Sequence, residues 1–117
     1  IFDPSTGKKI AGLLTADGTS FGDSCEELWK MGRRENLFTG NTTIGAVFTN
    51  GKFNKAQMNK IASMTRNAYA RCINPVGTMA DGDSIYAASA GDVEADLNVA
   101  GALAAYVMER AIVAAIR

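Results

Sequence analysis

Three observations predict an α/β fold for this 117-residue chain. The run Thr-Ile-Gly-Ala-Val-Phe-Thr at 43–49 is β-branched and apolar, which suits a buried strand, and the apolar stretch at 85–89 suits a second. Between them Met58, Ile61, Thr65, Ala68 and Cys72 recur at the 3–4 spacing of one helical face. After the second run comes a long apolar segment, with Glu94 and Asp96 at its start and Arg117 at its end, placed as a helix macrodipole favours. Strand, helix, strand, helix is the order of an α/β sandwich.

The boundaries follow from local chemistry. Asp3-Pro4-Ser5-Thr6-Gly7 reads as a turn, with Pro pre-setting its backbone angle and Gly closing it. Residues 8–14 form a strand candidate ending near the Asp17-Gly18 turn. Asp23 with Glu26 three residues on predicts a capping box opening a short helix through Cys25, Leu28 and Trp29, which Gly32 breaks. Asn50-Gly51 punctuates the first strand. Asn54 is then the expected N-cap with Gln57 at the third helical position, and Phe53 and Met58 are spaced for a hydrophobic staple. Asn74-Pro75 stops that helix, and Gly91-Asp92 is the expected cap of the last one. That last helix is apolar nearly all round from Val99 to Met108. It is too short and alanine-rich between its charges to predict a membrane span, and reads as buried in a core or an interface.

Composition narrows the function classes. The 47% hydrophobic and 21% charged content fit one soluble domain, whose folded surface should be about 6,000 Å². Twelve basic against twelve acidic residues supply no excess for neutralising phosphates, which argues against a nucleic-acid partner or an anionic membrane. The absence of histidine excludes a Ser-His-Asp or Cys-His nucleophile and a His-ligated zinc within this chain. Cys25 and Cys72 form no CxxC pair and read as free thiols of a reducing, cytoplasmic compartment. No cofactor and no metal site is expected. The chain opens on Ile1 without a charged or apolar leader, which reads as a processing product, a trimmed chain or part of a larger polypeptide.

Two places offer chemistry without histidine. At Gly40-Asn41-Thr42-Thr43 a polar loop runs directly into a buried strand. A threonine there is held on one side and adjoins a strainable peptide bond on the other, which suits an N→O acyl shift onto its hydroxyl. The liberated Thr42 then owns a nucleophile and a base, an α-amine whose reference pKa is about 7.7–8.0. The same residues also match a glycosylation acceptor or an ordinary strand start. In Thr78-Met79-Ala80-Asp81-Gly82-Asp83, two carboxylates flank a glycine and would share a pocket if the backbone kinks there, pushing their pKa values apart. The alternative is a solvated Asp-Gly turn. A calcium loop is disfavoured, since the remaining EF-hand ligands are missing.

Taken in order, Asn41-Thr42-Thr43-Ile44-Gly45, Thr49-Asn50, Ala70-Arg71, Ile73-Asn74-Pro75-Val76, Thr78-Met79 and Asp81-Gly82-Asp83 resemble successive motifs of one family. This is the L-aminopeptidase/D-esterase group of self-cleaving N-terminal-nucleophile hydrolases, which includes β-aminopeptidases and nylon-oligomer hydrolases. The resemblance extends over the whole chain, including the opening Phe2-Asp3-Pro4 and Thr6-Gly7. It implies an αββα sandwich of which this chain is one part. Residues 1–41 would end the larger subunit, and 42–117 would form the smaller one. It further implies cleavage between Asn41 and Thr42, with Thr42 as nucleophile, and makes Asp81 and Asp83 the acidic pair that orients it. The Asp pair leans toward the nylon-hydrolase branch, since β-aminopeptidase-like members carry Ser and Glu there. Many relatives have a histidine and a bulky aromatic where this chain has Gly77 and Ala80, which implies a more open pocket wall. The partners implied are the N-terminal portion of the same precursor, further copies in a homo-oligomer, and a small amide or peptide substrate. Two rival readings remain open at this point. One is a self-cleaving acyltransferase using the same threonine, and the other a non-catalytic α/β subunit of an oligomer.

Overall fold

The computed structural model describes residues 1–32, 42–78 and 81–116. Its elements are α1 (Ser24–Met31), β1 (Ile44–Gly51), α2 (Lys55–Cys72), β2 (Ser84–Val93) and α3 (Leu97–Ala115). Strands β1 and β2 pair in parallel, with Ile44 opposite Ser84 and Thr49 opposite Ser89. The chain is therefore mixed α/β in the predicted order, with a two-stranded parallel sheet.

α2 begins as its sequence requires. The Asn54 side chain accepts from the Gln57 N–H and the Gln57 side chain accepts from the Asn54 N–H, both at 2.9 Å. All five residues of its predicted inward face are buried, joined by Tyr69. Met58 and Ile61 pack with Ala104 of α3, and Val47, Phe53 and Leu97 close round them. Ala68 and Tyr69 meet Met108 one layer further along, against Val47 and Ile85. The core is thus a layer between the two long helices and one face of the sheet.

Three boundaries differ from expectation. Residues 8–14 do not form a strand, and contribute only isolated antiparallel bridges, Phe2 with Lys9 and Leu14 with Phe21. Among the described residues no continuous strand runs alongside, and local bonds such as the Ile10 N–H to the Ile1 carbonyl take its place, while the Phe2 N–H donates to the Cys72 carbonyl at the end of α2. The capping box of α1 is half made. Asp23 accepts from the Cys25 and Glu26 N–H groups, whereas Glu26 pairs with Lys30 instead of returning to Asp23. Finally, β2 runs through the expected cap at Gly91-Asp92, and Asp96 caps α3 by accepting from the Asn98 and Val99 N–H groups. Gly91 lies flush against the Asn50 backbone, where any side chain would collide, so pairing continues past the predicted stop.

The chain does not wrap its own core. Its accessible surface is 8200 Å², well above the roughly 6,000 Å² of a self-contained fold of this size. One excess lies on the sheet face turned away from the helices, where Ile44, Phe48 and Tyr86 are 70, 79 and 65% exposed. Another lies along α3, where only Gly101, Ala104, Ala105 and Met108 are buried while Val99, Leu103 and Val107 face out. At 19 residues α3 has the length and composition to cross a membrane, longer than the apolar stretch read from the sequence. One flank of it is a core layer packed against α2.

Candidate active site

Thr42 is exposed immediately before β1, and Asp81-Gly82-Asp83 immediately before β2. Parallel pairing sets these two strand starts side by side. The fold thus assembles residues forty positions apart without a long-range motif. Asn41 lies outside the described residues, as do Met79, Ala80 and Arg117.

Each member of the predicted set has a distinct role in the geometry. Asp83 Oδ1 accepts from the Thr43 N–H at 2.8 Å, one residue from Thr42, and its Oδ2 accepts from the Gly77 N–H at 3.4 Å. Asp81 is held by Thr78, whose N–H and hydroxyl both donate to Oδ2, at 2.9 and 2.7 Å. Gly82 is the residue that meets the Thr42 hydroxyl. A Cβ there would sit 2.9 Å from Thr42 Oγ1, so the hydroxyl lies in the space that only glycine leaves. As the alternation around Gly82 predicts, both carboxylates line one concavity. It measures about 400 Å³ and is shared with Arg66 and Tyr69 of α2 and with Gly77 and Thr78.

Tyr69 braces the floor of this arrangement. Its hydroxyl donates to the Ser84 carbonyl at 3.2 Å and lies 3.4 Å from the Thr43 carbonyl, tying both strand starts to α2. Burial, and then the negative charge of Asp83, push its phenol above the usual range, so it stays a neutral donor. Cys72 is buried on the same helix and its thiol is pushed up, first by burial and then by Glu109, so it remains protonated and inert. Both cysteines are free. Among the described residues no three acidic or thiol groups converge as a metal site would require.

Sequence reading missed Arg66 and Tyr69, and it named Thr78 and Gly82 within the motif without giving either a role. Thr78 carried a readable signal, a hydroxyl three residues before a carboxylate in a turn. Tyr69 did not, because its position on the helix looks like any core aromatic. Gly77 lines the concavity with Arg66 beside it, Nη2 2.7 Å from where a Cβ would lie, while Ala80, the other position of the expected open wall, lies outside the described residues.

Comparison with known proteins shows the family of the chain. The model of peptidase family S58 matches residues 6–117. An uncharacterised aminopeptidase of Mycobacterium leprae is 40% identical over 55 residues, covering 47% of this chain and 15% of that protein. Two 6-aminohexanoate-oligomer endohydrolases, from Kocuria sp. and Paenarthrobacter ureafaciens, are each 33% identical over 55 residues, covering 47% of this chain and 16% of the relative. The aligned stretch is thus less than a fifth of each relative's length. As the ordered motifs from Asn41 to Asp83 lead one to expect, the chain belongs to peptidase family S58.

Proposed function

We propose that this chain is the nucleophile-bearing part of an amide or peptide hydrolase that cuts itself between Asn41 and Thr42. The observation that carries the reading is the meeting of Thr42 with the Asp81-Gly82-Asp83 turn at two paired strand starts. In the first event Thr42 Oγ attacks the Asn41 carbonyl carbon. The C–N bond breaks, the hydroxyl proton passes to the departing nitrogen, and the Asn41 acyl group rests on oxygen as an ester. Water hydrolyses that ester, leaving a carboxylate on Asn41 and a free amine and hydroxyl on Thr42.

Thr42 then acts on substrate by the same atoms. Its hydroxyl attacks a substrate amide while its own α-amine takes the proton and returns it to the leaving amine. Water, activated by that amine, releases the acyl group. The carboxylates of Asp81 and Asp83 stabilise the transient ammonium and fix the position of Thr42. The S58 match and the names of the relatives, an aminopeptidase and 6-aminohexanoate-oligomer endohydrolases, support amides, short peptides or linear amino-acid oligomers as substrates.

The remaining segments fit this role. Residues 1–41 would end the larger subunit and 42–117 would form the smaller one. A second sheet from the same precursor would cover Ile44, Phe48 and Tyr86, completing an αββα sandwich. The outer face of α3 would serve a homo-oligomer. Both assignments explain why so much apolar surface is left open.

Replacing Gly82 by Ala tests the hydroxyl's seat. The added Cβ crowds Thr42 Oγ1, so self-cleavage and turnover are expected to fall at least tenfold. The melting temperature should hold, because Gly82 is exposed. Gel analysis of processing beside a melting curve separates the two effects. The function itself is tested by incubating the complete processed precursor with a short peptide amide, with and without excess amine acceptor. Equal release of free acid in both arms is the expected result. Build-up of an acceptor adduct would move the assignment to acyl transfer, and absence of turnover would contradict both.

A further inference from the structure

Arg66 stands apart from the other described arginines. Arg71 pairs with Glu109, and Arg110 donates to the Tyr106 hydroxyl at 3.2 Å while stacking on its ring. Arg66 makes no ion pair and no hydrogen bond among the described residues. Its helix offers no acid either, since the positions three and four away on either side are Ala62, Ser63, Tyr69 and Ala70. A carboxylate at one of those four places could have paired with it along the helix, and none is there.

The two carboxylates that share its concavity are already engaged. Asp81 is taken up by both donors of Thr78, and Asp83 by the Thr43 and Gly77 amides. One guanidinium nitrogen lies in the room that Gly77 leaves, 2.7 Å from where a Cβ would be. A planar cation with its donors uncommitted among the described residues, lining a concavity of about 400 Å³ beside the nucleophile turn, has the fork geometry to take a planar anion two-pronged.

We propose that Arg66 recognises a free carboxylate on the substrate, so that the preferred substrates are short peptides or amino-acid oligomers whose terminal carboxylate lies near the scissile amide. This rests on the hydrolase reading above and adds the chemical class to it. Asp81 and Asp83 keep their partners in the turn beside Thr42, and the ligand's negative end goes to Arg66. A pocket of this volume suits a small molecule of a few residues, so one fixed end selects for chain length as well as charge.

The test is a matched pair of substrates, one short peptide as the free acid and as its carboxamide, hydrolysed by the complete processed enzyme. Wild type should favour the free acid by about ten- to a hundredfold in kcat/KM, the range of a charge-assisted contact. Arg66→Gln should abolish that preference, raising KM for the free acid by far more than for the carboxamide, and Arg66→Lys should retain part of it. Equal use of both substrates by wild type would overturn the proposal and leave the hydrolase reading standing. An equal loss on both substrates in Arg66→Gln would make the residue structural and overturn it too. Hydrolysis of neither substrate by wild type would overturn both readings together.

Discussion

Thr42→Ala is expected to leave the chain uncut between Asn41 and Thr42 and the protein without amide hydrolysis. Two losses coincide in that one change. The hydroxyl that would attack the Asn41 carbonyl is gone, so the α-amine that would serve as base is never freed. Removing a nucleophile of this kind lowers turnover on the order of 10⁴- to 10⁶-fold. The fold should be spared, because Thr42 is exposed and lies outside β1. Thr42→Ser is the informative companion, since it keeps the nucleophile and should still cut. Denaturing gels follow processing and an amide-release assay follows turnover. An uncut Thr42→Ala protein that still hydrolyses amides would sink the mechanism.

Ile61→Ala is expected to have the largest effect on stability. Ile61 is 1% exposed at the centre of the layer where α2 meets α3 and the sheet. Truncating it removes three carbons' worth of burial and leaves a hole between Met58 and Ala104. Such changes cost about 2–5 kcal/mol. For a domain of this size that lowers the melting temperature by about 10 °C or more, readable by circular dichroism. Because α2 carries Tyr69 and Arg66 on adjoining positions, activity should fall on warming before it falls at low temperature. The contrast with Gly82→Ala is diagnostic, since that change spares the melt and strikes the chemistry.

Much of the fold was legible because the core of α2 follows one physical rule. Met58 to Cys72 recur on a single helical face, and Asn54 with Gln57 closes the helix start by local hydrogen bonds alone. Boundaries that depend on a neighbour were not legible. The strand expected at 8–14 needs a partner that the described residues do not provide, and β2 outlasts its glycine because Asn50 of β1 lies flush against Gly91. Nor could Glu26 be known to prefer Lys30 over the Asp23 amide.

The site divides in the same way. Residue type and position at loop–strand junctions marked Thr42, Asp81 and Asp83 as candidates, and the family resemblance gave them their roles. Their relation in space was not legible. Asp83 reaches the Thr43 amide, Asp81 is turned to Thr78, and the Thr42 hydroxyl rests on Gly82. Only parallel pairing of β1 and β2 produces that arrangement, since it brings the starts of both strands to one edge. Arg66 was invisible for a related reason. A helix arginine gains meaning only when its neighbours turn out to be uncharged and a glycine from a distant turn gives it a seat.

The central claim is that Thr42 becomes a chain end. Intact mass under denaturing conditions, with N-terminal sequencing of each species from the complete precursor, measures this directly. The expected result is a species that begins at Thr42, with a partner ending at Asn41. A single species running unbroken through Asn41-Thr42, in protein that hydrolyses amides, would contradict the account.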